Sequence, residues 1–279
     1  MVDIDTRSRK ETQIHPTAVV DPEAELGVGV VLGPHAVIGP RVEVGDRCVV
    51  DAGAYLRGPL RLGEENRIYS GACIGFDPQD LKFGGEETWL EVGSNNHFRE
   101  HATAQRGTGK GGGVTRIGSH GLFMVGAHVA HDCLVGDHVI FANQGTLAGH
   151  VEVQDHATVG AFASVHQFCR VGAYAYIGGY SVITRDVLPF VKTVGIKPAC
   201  YGLNKIGLQR KGFGEDELQG LERAYRLLVR SGLRRRDALE QIEDELGAQP
   251  RVRFLLDFVT SSQRGVVAET PRKKSGRGA

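Results

Sequence analysis

An aliphatic or aromatic residue returns every six positions through most of this chain. Ile14, Val20, Leu26, Leu32, Ile38, Val44, Val50, Leu56, Leu62, Ile68 and Ile74 follow one another without a miss. The beat resumes at Val92 and Phe98, then runs from Ile117 through Phe123, Val129, Val135, Phe141, Leu147, Val153, Val159, Val165, Val171 and Ile177 to Ile183. A helix repeats every 3.6 residues and a half-buried strand every two, so neither places one apolar residue in six. Hexapeptide repetition is the signature of a parallel β-helix. Each hexad supplies one short strand and one turn, and three hexads close a triangular coil. Beat residues eighteen apart then stack inside, and coils rise by about 4.8 Å. Roughly eight or nine coils give a column about 40 Å tall. The 39 glycines suit tight corners. A β-sandwich would instead show period-two alternation with irregular turn spacing.

Two stretches break the beat. The first, 75–90, contains FDPQDLKFGGEETW. The second, 105–116, contains RGTGKGGG, which lacks P-loop spacing and precedes a strand beat instead of a helix. It reads as a protruding loop over a neighbouring surface. The prism is thus expected over 13–189, after a flexible N-terminus at 1–12. Beyond it, Leu218, Leu221, Tyr225 and Leu228 fall at helical spacing, as do Ala238, Ile242 and Leu246, and Val252, Leu255, Leu256 and Val259. Gly232 and Gly247 stand where helices would end. A helical domain over 190–266 is expected to cap the prism, leaving a disordered basic tail at 267–279.

Composition narrows the function classes. Lys plus Arg equals Asp plus Glu at 33 each, which gives no global attraction to nucleic acid or membrane. Residues 190–279 hold 18 Lys and Arg against 11 Asp and Glu, a surplus of seven positive charges. That end suits acidic partners or substrate phosphates, although a solvated helical face would look the same. Five cysteines without a CxxC pattern indicate a reducing compartment. Neither a signal peptide nor an apolar run of membrane length is evident, so a cytoplasmic protein is expected.

A filled prism leaves ligands an outer face, a loop or a subunit cleft. Eighteen-residue arithmetic puts His131, Gly149 and Gln167 in one vertical column and Asp132, His150 and Phe168 in the next, with His128 and His166 nearby. Polar residues at corners can simply face water, but four clustered histidines beside a carboxylate point to chemistry. Two chemistries fit. Histidine with a carboxylate can act as a general base, its ordinary pKa of about 6.5 lying near working pH. Three of His128, His131, His150 and His166 could alternatively hold zinc in a hydratase.

The runs QDLKFGGE (79–86), AHVAHDC (127–133), LAGHV (147–151), VHQF (165–168) and GLNKIGLQRKGF (202–213) closely resemble the bacterial UDP-N-acetylglucosamine O-acyltransferases of lipid A biosynthesis, over about residues 13–265. The resemblance implies a left-handed parallel β-helix, a homotrimer with sites between prisms, and no cofactor or metal. It implies transfer of a 3-hydroxyacyl chain from acyl carrier protein to the 3-hydroxyl of UDP-N-acetylglucosamine. His131 would be the general base beside Asp132, with the Gly149 N–H meeting the oxyanion. Gln79, Asp80 from a neighbouring subunit, Lys82, His128, His150, His166 and Gln167 would contact the sugar region. Asn204, Arg210 and Lys211 would contact the nucleotide, and Gly179 would gauge acyl length. Ile206 replaces a common glutamate, Lys211 an arginine, VGIKPA (194–199) a Gly-Asn-Pro-Ala-like turn, and Gln105 a frequent histidine. Transfer to a 3-amino UDP-sugar is the near alternative. A later N-acyltransferase of the same pathway carries an extra N-terminal domain, for which a beat beginning at Ile14 leaves no room.

Overall fold

The computed structural model describes residues 11–270. Most of residues 1–12 and 267–279, expected to be flexible ends, lie outside that range. Short strands, parallel but for the last, form three walls, of 11, 9 and 8 strands, each wall taking every third strand in chain order until the final two strands join the first wall. The first wall opens with Gln13–Ile14, the second with Val19–Val20 and the third with Glu25–Leu26. Pairing advances by eighteen residues, as in Val31 with Val49 and Val129 with Leu147. The architecture is a parallel β-helix.

Each hexad repeats one physical grammar. The beat residue points inward, and from Leu32 to Ile183 nearly every one is at most 5% exposed. Burying each such side chain contributes roughly 1.5–3 kcal/mol before chain entropy is counted. Four positions after the beat a second, smaller residue also turns inward: Ala36, Val42, Cys48, Ala54, Ala72, Ala102, Ala127, Cys133, Ala157, Ala163, Cys169 and Ala175 are all buried. This second inward position places three of the five cysteines in the core, and all five are free thiols. Burial pushes Cys133 up to about 12, which keeps it a thiol. The residue three after the beat is left-handed. Among the described residues, 16 of the 17 non-glycine residues with positive φ, from His35 to Tyr180, occupy that phase; the last, Phe190, stands three after Val187, which bridges to the beat residue Val171. Left-handed backbone costs roughly 1–2 kcal/mol for a side-chain-bearing residue. Stacking offsets part of it: His120, His138, His156 and Tyr174 form a ring column at 4.6–4.7 Å along the edge between walls three and one.

The position two after the beat has its own rule. Its N–H points out of the coil ladder, so proline is tolerated there, at Pro16, Pro22, Pro34 and Pro40. The Val28 and Glu64 amides at this phase turn instead to Asp46 Oδ1 at 2.8 Å and Ser94 Oγ at 3.0 Å.

Both insertions leave the same edge, between walls two and three. Arg67 pairs with His97, thirty residues on, and His97 with Leu122, twenty-five on; the insertions therefore add twelve and seven residues to an eighteen-residue coil. Strand pairing holds to Phe76 and resumes at Trp89, then holds to Gln105 and resumes at Val114, so each loop is shorter than its break in the beat. Ala104 keeps the phase in between and is buried, although alanine made it invisible as a beat residue.

The wall does not end at Pro189. Val191–Val194 pairs parallel with Tyr176–Ile177, and Ala199–Leu203 returns antiparallel through a turn at Gly195, φ +115. Helices follow: α1 (Lys205–Arg210), α2 (Glu215–Tyr225), α3 (Arg235–Leu246) and α4 (Pro250–Thr260). A five-residue π-helical stretch, Arg226–Arg230, continues α2. Leu218, Leu221, Tyr225, Ile242, Val252, Leu255 and Val259 build a second core over Phe190 and Val191. Val267, assigned to the tail by sequence, is buried in that core, and the Glu269 carbonyl accepts from Cys200 N–H. No helix among the described residues is long and apolar enough to cross a membrane.

Candidate active site

The corners above the two insertions carry the chemistry. His128–Val129 ends a strand of wall two, Ala130-His131-Asp132-Cys133 turns the edge, and Leu134–Val135 begins wall three. Asp132 takes the left-handed phase at φ 59, a conformation its short polar side chain tolerates. Its carboxylate is buried, and Oδ2 lies 2.7 Å from His131 Nδ1 and 3.6 Å from His150 Nε2. Oδ1 accepts from Thr108 N–H and Oδ2 from the Thr108 hydroxyl, both at 2.8 Å. A carboxylate so fully accepting directs the His131 Nδ1–H toward itself and leaves Nε2 as a free acceptor.

One coil higher, Gly149 sits over that ring. A β-carbon on Gly149 would lie 2.5 Å from His131 Cε1 and 2.7 Å from Nε2. Glycine is required here for room, and not for a positive φ. Gly149 also occupies the phase whose N–H leaves the ladder, and among the described residues no backbone carbonyl accepts from it. Beside it, His150 takes the left-handed phase, stacks on Phe168 at 4.5 Å and meets His131 edge-on at 5.2 Å.

A cavity of about 580 Å³ opens along wall two at this edge, touching His128, His131, Gly149, His166, Gln79 and Gln105. His128 Nδ1 lies 2.7 Å from Thr103 Oγ1. Burial, and then nearby His131, push the His128 imidazole below its ordinary value, favouring the neutral ring. His166 Nδ1 approaches the Gln167 carbonyl at 3.1 Å and Arg264 at 3.5 Å. Gln167 is exposed above Gly149. Gln105, the residue standing in place of a histidine, is buried and accepts the Gln79 N–H.

Other residues singled out by sequence stand apart. Asp80 accepts from the Lys82 N–H within the first loop, whose tip leaves Lys82 and Leu81 exposed. Asn204 Nδ2 donates to the Tyr174 carbonyl, and burial, followed by the charge of nearby Lys211, pushes the His156 imidazole below its ordinary value. Asn204 and Lys211, with exposed Arg210 between them in sequence, thus lie toward the edge between walls three and one, across wall three from His131. Ile206 is exposed on α1. Gly179 lies on the remaining edge beside the stacked Phe162–Tyr180 pair, where a β-carbon would meet the Ala161 carbonyl at 3.1 Å. Within one chain, among the described residues, no three of these four histidines converge. The donors that converge within 4.8 Å are those of His131, Asp132 and His150, while His128 turns to Thr103 and His166 to the Gln167 carbonyl.

The surface that the second loop lies over is the next corner of its own chain, at Asp132. Thr108 and Thr103 escaped the sequence, since their contacts cross an insertion that no repeat length predicts.

Residues 186–267 match the family model described as UDP N-acetylglucosamine O-acyltransferase, domain 2. The acyl-[acyl-carrier-protein]–UDP-N-acetylglucosamine O-acyltransferase of Halorhodospira halophila is 47% identical over 92% of this chain and 99% of its own. The enzyme of the same name from Alkalilimnicola ehrlichii is 50% identical, with the same coverages. The chain belongs to this acyltransferase family. The solved structure of LpxA from Acinetobacter baumannii superposes with a TM-score of 0.88 at 44% identity, covering 91% of this chain and 99% of that one.

Proposed function

We propose that this acyltransferase moves a 3-hydroxyacyl chain from acyl carrier protein to the 3-hydroxyl of UDP-N-acetylglucosamine, the opening step of lipid A synthesis, with His131 as general base. The observation that carries the assignment is the buried Asp132 carboxylate at 2.7 Å from His131 Nδ1, which leaves Nε2 facing the cavity under an unobstructed Gly149. The sugar hydroxyl gives its proton to Nε2 as its oxygen attacks the thioester carbonyl. The Gly149 N–H, free of the coil ladder, donates to the oxyanion; such a donor lowers the barrier by roughly 3 kcal/mol in other acyl-transfer sites. Collapse forms the ester and expels the pantetheine sulfur, which takes the proton back from His131. Asp132 holds the ring and stabilises its transient charge.

His128, His150, His166, Gln79 and Gln167 border the acceptor, with Asp80 and Lys82 on the first loop. The basic face bearing Asn204, Arg210 and Lys211 suits a nucleotide diphosphate, and its surplus charge suits an acidic carrier protein. One chain holds that face across wall three from His131, so a homotrimer in which a neighbour supplies it completes the site. Gly179, beside Phe162 and Tyr180, gauges the acyl chain.

Mass spectrometry tests the assignment after incubation of UDP-N-acetylglucosamine, or its 3-amino analogue, with a ladder of 3-hydroxyacyl carrier proteins. Wild type is expected to acylate the hydroxyl sugar, and His131→Ala to lose at least about 100-fold in turnover while folding normally. Near-normal turnover by His131→Ala would remove its role, and product from the amine alone would change the acceptor.

A further inference from the structure

The two insertions and the His131 corner are three successive turns of the same edge, so each loop bears on the next corner up. In the second loop, Thr108 caps a single turn over Gly109–Gly111, with its hydroxyl accepting from Gly111 N–H at 3.1 Å. That geometry aims the Thr108 N–H and O–H together at Asp132, whose own N–H is held by Thr115 Oγ1 at 2.7 Å. Gly111 lies against the carboxylate: a β-carbon there would come within 2.1–2.3 Å of its atoms. Glu86 of the first loop accepts from Gly109 N–H at 3.0 Å through Oε1 and from Gly84 N–H at 2.8 Å through Oε2, tying the two loops together. A β-carbon on Gly109 would meet that same Glu86 side chain at 3.0 Å.

We propose that Thr108 is a positioning residue for the acyl transfer: its two hydrogen bonds fix the Asp132 carboxylate, which in turn fixes the tautomer and orientation of His131. The proposal rests on His131 being the base. Without Thr108, Asp132 keeps His131 Nδ1 and the edge of His150 as neighbours, and its carboxylate can rotate between them. A rotated carboxylate no longer selects Nδ1–H, and the fraction of rings presenting an unprotonated Nε2 to the sugar falls. Gly111 then has a purpose: without a side chain it lets the backbone lie directly on a buried anion.

The test compares wild type, Thr108→Val, Thr108→Ser and His131→Ala, by steady-state kinetics and by NMR of histidine labelled with nitrogen-15. Valine keeps the shape and loses the hydroxyl. It is expected to lower kcat about 10- to 100-fold with KM within about 2-fold, as misplacement of a reacting group does. Its His131 resonances should show mixed tautomers in place of a single Nδ1–H form, and serine should restore both readouts. Wild-type kcat and an unchanged tautomer in Thr108→Val, with His131→Ala inactive, would overturn the proposal alone. An active His131→Ala would overturn the base assignment and this proposal with it. Should valine prevent folding, Thr108→Ala replaces it and the same two readouts decide.

Discussion

Gly149 illustrates how a single residue serves two ends. Its missing side chain leaves room for the His131 ring, and its repeat phase turns its N–H away from the ladder toward the cleft. Gly149→Ala keeps the N–H and the fold but drives a methyl to within 2.5–2.7 Å of the ring edge that must accept the proton. His131 is the partner that yields, because its far edge alone is pinned, by Asp132. Turnover should fall by about 100-fold with little change in melting temperature, since a displacement of this size misaligns the reacting atoms; kcat measured beside a thermal melt checks it. A variant with wild-type kcat would mean that the ring works elsewhere. His131, Asp132, Gly149 and His150 could all be placed from the chain alone, because they are separated by whole coils and the eighteen-residue step brings them together. Thr108 could not. It meets Asp132 from twenty-four residues away across a seven-residue insertion, and only coordinates supply that vector.

At the scale of elements, the insertions would loosen a column whose neighbouring coils otherwise match, and a buried amide pair holds it there. Asn66 and Asn96 occupy the second inward position in the two coils flanking the first insertion, where other coils bury alanine, valine or cysteine. Asn66 Nδ2 donates to the Gly63 and Gly93 carbonyls, while its Oδ1 accepts from Asn96 N–H and Nδ2. Asn96 also donates to the Gly118 carbonyl and accepts from Gly121 N–H, so the ladder crosses both long coils. Asn96→Ala is therefore expected to cost about 2–4 kcal/mol, because it strands the Gly118 carbonyl and the Gly121 N–H in a dry interior and leaves the Asn66 oxygen with the backbone N–H of residue 96 alone. Urea unfolding checks the figure; a loss below about 0.5 kcal/mol would show that water or relaxation replaces these bonds. The phase of each break was readable in principle, since the beats before them, Ile74 and Ala104, belong to the same wall as Val129. Counting wall by wall would have put both loops directly beneath the His131 corner. What counting could not supply is the direction in which each loop folds, set by Thr108, Gly111 and Glu86 and not by any period.

For the whole molecule, the sequence told prism from helical cap because their apolar periods differ, and it missed the strands Val191–Val194 and Ala199–Leu203 because the beat lapses there. The cap's position has a consequence for assembly. It brings Asn204 and Lys211 to the edge marked by His156 and Tyr174, while His131 stands on the edge marked by His150 and Phe168. Wall three separates the two edges, so one chain cannot present both sets to one sugar nucleotide. A ring of identical chains can, because each copy then offers its His131 edge to one neighbour and its basic edge to the other. This arrangement predicts complementation. His131→Ala chains and Asn204→Ala/Arg210→Ala chains should each be nearly inactive alone. Co-expressed, they should form mixed trimers in which about one cleft in three combines an intact base with an intact basic edge. Activity of that order, measured on mixed assemblies purified by two different tags, would require a site shared between chains. Mixed assemblies no more active than their parents would place both halves within one chain, and the basic edge would then need a role other than holding the nucleotide whose sugar His131 deprotonates.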